Sequence, residues 1–163
     1  LISNAGYGHF DKLENIAEDK IENYFRVNLL AHIILAKIFI NYLKKAKKGN
    51  IIFMGSEAAI SGNSKATLYS STKHGLLGFA KSLREECNSS NIGVSIINAG
   101  MVRTKFFDNL NFEPGVSKDN AILPNDIADL IFFINNTSSN INYTDINLSP
   151  MKKVIKFKKN PFN

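Results

Sequence analysis

The hydrophobic pattern of the chain predicts three helices. Between residues 18 and 48 there is no Gly or Pro, and apolar residues recur at helical spacing before the pattern becomes apolar on all sides. We therefore expect one long helix over 18–48, buried against a second surface. A second helix is expected over 67–87 and a third over 124–135. The apolar repeat that carries the second helix consists of Leu76, Phe79, Ala80 and Leu83.

Short β-rich runs alternate with these helices. The run 50–56 is apolar and of strand length, 92–98 is rich in β-branched residues, and 143–148 ends the series. Residues 1–6 resemble the last part of a strand entering a turn. The alternation of strands and helices predicts an α/β fold with a doubly wound parallel sheet, in one domain over 1–163. The first strand would be left with a bare edge, so we expect further N-terminal strands to precede it.

Composition and charge exclude several classes of protein. With 44% hydrophobic residues the chain can form a packed core. Its net charge of +6 is spread out, apart from clusters at 44–48 and 152–159. The first cluster lies where a helix should end, and lysines there complement the helix dipole. Phe157 is the single aromatic residue among these lysines, so the sequence has no series of stacking platforms and we expect no nucleic-acid partner.

Membrane, metal and disulfide chemistry are not indicated. The most apolar stretch, 27–40, contains polar residues and is shorter than the roughly 20 residues of a membrane span, so we interpret it as part of a buried helix. The three histidines are too dispersed to suggest a metal site. Cys87 is the only cysteine, which rules out an intramolecular disulfide and favours the cytoplasm.

Candidate chemistry is concentrated between residues 56 and 73. Tyr69 and Lys73 are four residues apart and lie on one face of the predicted helix. A nearby ammonium favours the phenolate, so we expect Lys73 to lower the pKa of Tyr69 toward the range of a general acid or base. Ser56 ends a predicted strand at the carboxyl edge of the sheet, where its hydroxyl could face the same reacting oxygen. A turn cap is the alternative role for Ser56.

Asn28 is a second candidate of this kind. It interrupts the apolar pattern of the first helix, and a buried amide costs free energy unless it finds hydrogen-bond partners. Its simpler interpretation is that of a residue filling a backbone kink.

These residues together resemble the short-chain dehydrogenase/reductase family. The resemblance covers essentially the whole chain and is carried by the order and spacing of its motifs. They are Asn4-Ala5-Gly6, Asn28, Ser56, Tyr69-x-x-x-Lys73 and Asn98-Ala99-Gly100-Met101-Val102-Arg103-Thr104. It implies a Rossmann-like fold and NAD(P)-dependent interconversion of an alcohol and its carbonyl compound.

The resemblance also implies a role for each site residue. Tyr69 would be the proton donor, Lys73 the residue that tunes it and binds the nicotinamide ribose, and Ser56 the hydroxyl that orients the carbonyl. Asn28 would anchor a water-linked proton relay. The remaining residues would contact the cofactor, expected to be NADP with NAD possible. Those near its adenosine half are Asn4, Ala5 and Gly6, and those near its nicotinamide end are Val102 and Thr104.

The chain departs from the family pattern in two places. Ala99-Gly100 stands where Pro-Gly is usual, which we regard as a mild change. The Gly-rich turn that would hold the pyrophosphate is absent from the sequence. We therefore expect a catalytic half whose Gly-rich half lies upstream. The alternative is a truncated, inactive relative that only associates with other chains.

Two finer expectations follow from the resemblance. The C-terminal pattern around 124–128 and 140–150 resembles the branch that acts on small 3-hydroxy acids such as serine. In that branch the helices corresponding to 18–48 and 67–87 pack against their symmetry mates, which implies a homodimer or homotetramer. The segment 104–117 is expected to close over the substrate. Its apolar wall would be formed by Phe106, Phe107 and Phe112.

Overall fold

A parallel sheet forms the centre of the fold. The structure is a computed structural model that describes residues 1–138 and 140–158. Within these residues the central sheet has four strands in the order β1-β2-β3-β5, all parallel. The strands are β1 (Ile2–Ser3), β2 (Gly49–Met54), β3 (Ile92–Ala99) and β5 (Asp145–Leu148). The predicted doubly wound α/β sheet, with the first strand at its edge, is confirmed.

Helices cover both faces of this sheet. On one face α2 (Ala31–Ala46) and α3 (Thr67–Cys87) enclose a core that includes Phe53, Leu76 and Ile96. On the other face α4 (Pro124–Asn136) packs against a second core that includes Ile52, Ile97 and Ile127. Successive residues of β2 therefore point into different cores, as the alternation of side chains along a strand requires. The bounds of α3 agree with the predicted helix over 67–87.

The first predicted helix is continuous but is not regular throughout. It consists of α1 (Glu18–Phe25), a π-helical turn (Arg26–Leu30) and α2, and it ends at Ala46 rather than at residue 48. Lys47 follows in the left-handed conformation with φ of 56°, and Lys44 and Lys45 lie in the last helical turn. The prediction that these lysines lie at a helix end is confirmed.

The prediction that this helix is buried is only partly correct. Tyr24, Asn28, His32 and Ala36 face the sheet and are at most 1% exposed. The opposite face is exposed, although it is apolar, and the helix Glu18–Ala46 is long and apolar enough in composition to cross a membrane. A pattern that is apolar on all sides indicated burial, yet among residues 1–138 and 140–158 only one of the two faces of the helix has a partner.

A small second sheet joins the C-terminal segment to the segment that follows β3. Its strands β4 (Phe112–Pro114) and β6 (Ile155–Phe157) are antiparallel. The β-rich runs recognised in the sequence end with 143–148, so this pairing was missed. The ammonium of Lys156 lies 2.9 Å from the carboxylate of Glu113, across the two strands. Lys159 lies outside the described residues.

The connection between the first helix and β2 requires a glycine at position 49. Gly49 has a φ of +148°, and a Cβ atom there would lie 2.6 Å from Cδ2 of Leu43. L-residues rarely adopt this conformation, because the Cβ atom clashes with the backbone. Glycine at position 49 therefore lets the chain leave the helix and enter the sheet directly.

We predict that Gly49→Ala lowers the free energy of unfolding by about 1–3 kcal/mol, because it combines an unfavourable φ with a steric overlap. Urea unfolding followed by circular dichroism measures this change. Gly62→Ala is the matched control, since Gly62 lies in a loop with ordinary φ and no atom within 4 Å of the added carbon. Equal effects of the two substitutions would contradict this account of Gly49.

Candidate active site

The predicted site residues converge on one edge of the sheet. Asn4, Ala5 and Gly6 follow β1, Ser56 follows β2, and Val102 and Thr104 follow β3. All three strands are parallel, so these turns lie at their carboxyl ends. This edge is where open α/β sheets bind ligands. Tyr69 and Lys73 approach it from α3.

Ser56 is held by a tight turn at the end of β2. The N–H of Gly55 donates to the carbonyl oxygen of Ile97, and a Cβ atom at position 55 would overlap Oδ1 of Asn98. The Ser56 hydroxyl accepts a hydrogen bond of 3.1 Å from the N–H of Ala58, at the start of a 3₁₀ turn over Glu57–Ala59. Ser56 therefore does cap a turn. The same turn fixes its hydroxyl in the cavity that Tyr69 lines.

Lys73 is a buried cation at the end of β2. Its side chain is 5% exposed, and its Nζ atom donates a hydrogen bond of 2.8 Å to the carbonyl oxygen of Met54. Burial lowers the pKa of Lys73 to about 8, because the charged form loses water that one carbonyl group does not replace. The same Nζ atom lies 5.8 Å from the centre of the Tyr69 ring. Tyrosine and lysine thus share one face of α3, as their spacing predicted.

The pKa of Tyr69 is raised in this structure. Burial of the phenol is the main cause, and hydrogen bonding to the Ser56 hydroxyl opposes it. The expected lowering by Lys73 is therefore not observed in this structure, because desolvation of the buried phenol is the dominant effect on the pKa of Tyr69. The phenol is protonated at neutral pH, which is the state that a proton donor requires.

Asn28 lies inside the π-helical turn and is fully buried. Its Oδ1 atom accepts a hydrogen bond of 3.0 Å from the N–H of Tyr7, and its Nδ2 atom donates one of 3.2 Å to the carbonyl oxygen of Tyr24. The side chain thus ties the turn after β1 to the first helix. The position of Asn28 at an irregularity of the helix agrees with its simpler interpretation, and its part in a proton relay stays a prediction. π-Helical turns occur frequently at functional sites.

The predicted cofactor contacts are more exposed than the predicted catalytic residues. Asn4, Ala5 and Gly6 are exposed at the end of β1. Val102 forms a β-bridge with Ile122, and the Thr104 hydroxyl accepts a hydrogen bond from the N–H of Phe106. These residues are therefore positioned by backbone contacts and leave their outer surfaces open.

Sequence reasoning missed several residues around the site. Tyr24 donates from its hydroxyl to the carbonyl oxygen of Tyr7, at 2.9 Å, and the two rings pack edge to face. Phe10 lies 5.3 Å from Tyr69, measured between ring centres. Glu57 and Lys153 pair at the rim of the same cavity. No local pattern marks these residues, because each acts through a partner distant in the sequence.

The fold and this edge together define a class of protein. A doubly wound parallel sheet presents serine, tyrosine and lysine side chains at its carboxyl edge, where Rossmann-like oxidoreductases bind a dinucleotide and a substrate.

Comparison with known proteins identifies the family within this class. The sequence pattern of the short chain dehydrogenase family matches residues 1–114, so the chain belongs to that family. The chain is 37% identical over 111 residues to the 3-oxoacyl-[acyl-carrier-protein] reductase FabG of Buchnera aphidicola subsp. Acyrthosiphon pisum. That match covers 68% of this chain and 46% of the reductase. The chain thus spans about half the length of the curated relatives it matches.

Solved structures agree with the fold. An alcohol dehydrogenase from the archaeon Thermococcus sibiricus, complexed with 5-hydroxy-NADP, superposes with a TM-score of 0.81 at 22% identity. The match covers 94% of this chain and 63% of the dehydrogenase. A serine dehydrogenase from Escherichia coli gives a TM-score of 0.76 at 18% identity, covering 90% and 61% of the two chains. At these identities the likeness shows the fold and does not single out the serine branch.

We predict that Lys73→Met raises the free energy of unfolding at neutral pH. The pKa of Lys73 falls from an ordinary 10.5 to about 8 on folding, so below pH 8 burial of the charge costs up to about 3 kcal/mol. Between pH 8 and 10.5 the folded state releases this proton first, and the cost disappears. The stability difference between the variant and the native sequence should therefore narrow across this window.

Urea unfolding at several pH values between 6 and about 10.5 measures this difference. Lys20→Met is the matched control, since Lys20 is exposed on α1 and its replacement should leave the pH dependence unchanged. A stability difference for Lys73→Met that stays constant over the whole range would contradict the burial of a charged Lys73.

Proposed function

We propose that this chain carries the proton-transfer site of an NADP-dependent oxidoreductase that interconverts a carbonyl compound and its alcohol. The observation that carries the proposal is that Ser56 and Tyr69 line one cleft at the carboxyl edge of the sheet, with the ammonium of Lys73 beside the Tyr69 ring. Membership of the short chain dehydrogenase family supports it.

Each residue has a distinct part in this reaction. A bound nicotinamide cofactor would supply the hydride for the carbonyl carbon. Tyr69 donates its hydroxyl proton to the carbonyl oxygen, and its raised pKa keeps that proton in place until charge develops on the oxygen. Ser56 donates a hydrogen bond to the same oxygen and orients it. Lys73 stabilises the phenolate that Tyr69 leaves behind.

The surroundings of Lys73 suit a cofactor ribose. A protonated lysine has three N–H donors, and within the described residues Nζ has one acceptor, the carbonyl oxygen of Met54. Ribose hydroxyls would satisfy the remaining donors. We further propose that Asn4, Ala5 and Gly6 lie beside the adenosine half and that Val102 and Thr104 contact the nicotinamide end. NADP is the expected cofactor, as in the complex of the Thermococcus sibiricus dehydrogenase with 5-hydroxy-NADP, and NAD would meet the same ribose contacts.

Reprotonation of Tyr69 requires a path for protons from solvent. We propose that this path runs through Lys73 and a water molecule near Asn28. The Asn28 side-chain amide already bonds to the backbone at Tyr7 and Tyr24, so its part is to hold these segments in place. In this arrangement the residue positions the relay rather than carrying the proton on its side chain.

We predict that Tyr69→Phe lowers kcat by about 100-fold or more, because a positioned general acid contributes roughly that much. The measurement is NADPH oxidation by the full-length gene product in the presence of a carbonyl compound. Tyr143→Phe is the matched control, since the Tyr143 ring packs against Phe133 of α4, away from the cleft.

A second measurement separates this function from that of an inactive chain that only associates with others. The melting temperature of the full-length Tyr69→Phe variant should still rise with millimolar NADPH, since the phenol hydroxyl is a minor part of the cofactor site. Undiminished turnover in Tyr69→Phe would show that another group donates the proton. The absence of both turnover and an NADPH-induced shift in the unmodified protein would favour the inactive alternative.

We also propose that the chain forms a homodimer or homotetramer through α1–α2 and α3, the helices predicted over 18–48 and 67–87. The outer face of α1–α2 exposes apolar side chains: Leu30, Ile34, Leu35, Ile38, Phe39 and Tyr42, each at least 37% exposed. Contiguous apolar surface of this kind marks an interaction site. The inner face of the same helix contains the polar residues Asn28 and His32 and packs on the sheet. The helix is therefore not surrounded by apolar surface, as a membrane-spanning helix would be.

We predict that the double substitution Ile34→Lys with Ile38→Lys shifts the protein toward the monomer, because two charges would be buried without partners in the interface. Sedimentation velocity measures the distribution of species. Val116→Lys is the control, since Val116 is 80% exposed in a loop. A monomeric unmodified protein, or an assembly unaffected by the two lysines, would contradict the proposed interface.

A further inference from the structure

A closed ring of aromatic side chains lies beside the proton donor. The distances between neighbouring ring centres are 5.3 Å from Phe10 to Tyr69, 5.9 Å from Tyr69 to Phe106 and 5.2 Å from Phe106 to Phe107. The ring closes with 5.8 Å from Phe107 to Phe112 and 5.1 Å from Phe112 back to Phe10. Aromatic contacts at these distances hold one another in place. The Tyr69 phenol is therefore one member of an otherwise apolar wall.

This wall encloses a cavity of about 620 Å³ that also contains Ser56. Phe106, Phe107 and Phe112 belong to the segment 104–117, and Phe10 belongs to the turn after β1. The predicted wall of phenylalanines is thus present, with one further member from a different part of the chain. Apolar walls with a few polar groups are typical of pockets that bind small organic molecules.

The C-terminal strand extends the wall on its outer side. Ile155 and Phe157 of β6 line the same cavity. β6 is held in place by its pairing with β4 and by Lys158, whose ammonium donates to the carbonyl oxygens of Phe107 and Asp108. Both side chains are more than half exposed, at 55% and 72%, so an apolar ligand in the cavity would cover them.

The charged groups of the cavity are poorly arranged for a small carboxylic acid. Within the described residues its two lining cations are Lys65 and Lys153. Lys153 pairs with Glu57, whose carboxylate also accepts a hydrogen bond from Ser149. Lys65 is exposed at the rim. A hydroxy acid such as serine would need a cation directed at its carboxylate, and Glu57 places a negative charge near the reaction site instead.

On the basis of the proposed function, we infer that the substrate is an uncharged carbonyl compound whose carbonyl carries a bulky apolar group, rather than a small hydroxy acid. The carbonyl oxygen lies between Ser56 and Tyr69. The apolar group lies against Phe10, Phe106 and Phe112 and extends toward Ile155 and Phe157. This replaces the expectation of the small 3-hydroxy acid branch, which was based on the C-terminal sequence pattern alone.

The test is a series of methyl ketones from 2-butanone to 2-nonanone, together with acetophenone, reduced by the full-length protein with NADPH. Each methylene buried against the wall should raise kcat/KM by up to about fourfold. Oxidation of serine and 3-hydroxypropionate with NADP should be at least about tenfold less efficient than reduction of the longest ketone. Acetophenone distinguishes a wall that prefers flat rings from one that prefers extended chains.

Substitutions in the wall test its contribution directly. Phe112→Ala and Phe10→Ala should flatten the increase of kcat/KM with chain length, because each removes apolar surface from the wall. Phe112→Leu should restore most of the increase. Phe132→Ala is the matched control, because Phe132 is 70% exposed on α4 and does not line the cavity.

The outcomes separate this inference from the function on which it rests. If kcat/KM does not depend on chain length, or if serine or 3-hydroxypropionate is the better substrate, the inference is wrong and the proposed function stands. If the protein binds NADPH but turns over none of these compounds, both are contradicted. A substitution in the wall can also lower activity by destabilising the fold. Phe112→Leu controls for this effect, because it keeps an apolar side chain at that position.

Discussion

The burial of one ammonium group shapes the site. Lys73 lies at the end of β2, and its contact with the carbonyl oxygen of Met54 fixes α3 against the carboxyl edge of the sheet. One helical turn earlier, Tyr69 is brought to the same edge, next to the turn that presents Ser56. The cost of keeping a charge out of water is consistent with a site that uses this charge when phenolate forms. A stability role alone would be served better by an apolar residue.

Two neighbouring elements position the residues around the Lys73 ammonium group. The turn before Ser56 leaves no room for a side chain at position 55, so its geometry is fixed by β3 as well as β2. On the other side the π-helical turn directs Asn28 at the backbone of Tyr7, which ties the end of β1 to the first helix. Three strands thus contribute turns of fixed geometry to one edge. Phe10 and Phe106 then pack against the Tyr69 ring and leave an apolar route to its hydroxyl.

Sequence reasoning was accurate where the determinants were local. The helical repeat of α3 and the spacing of Tyr69 and Lys73 are properties of one segment, and both were predicted correctly. The direction of the Tyr69 pKa shift was wrong, because burial depends on residues from other segments such as Phe10 and Phe106. The pairing of β4 with β6 was missed for a similar reason. Strands of three residues carry too little periodicity to be recognised.

The burial of the first helix shows a related limit. Its pattern is apolar around the whole circumference, which predicts contact on every side. Within the chain the sheet covers one side, and the other side remains exposed around Ile34 and Ile38. A hydrophobic pattern predicts that a helix face will be buried, but it does not show whether the same chain or a partner buries that face.

The most direct test of the central claim is a crystal structure of the full-length protein with NADP and an alcohol product. The account predicts that the product oxygen lies within about 2.6–3.2 Å of both the Tyr69 hydroxyl and the Ser56 hydroxyl, with Lys73 donating to a ribose hydroxyl. A product oxygen bound elsewhere, or a ribose without contact to Lys73, would contradict the assignment of these residues as one proton-transfer site.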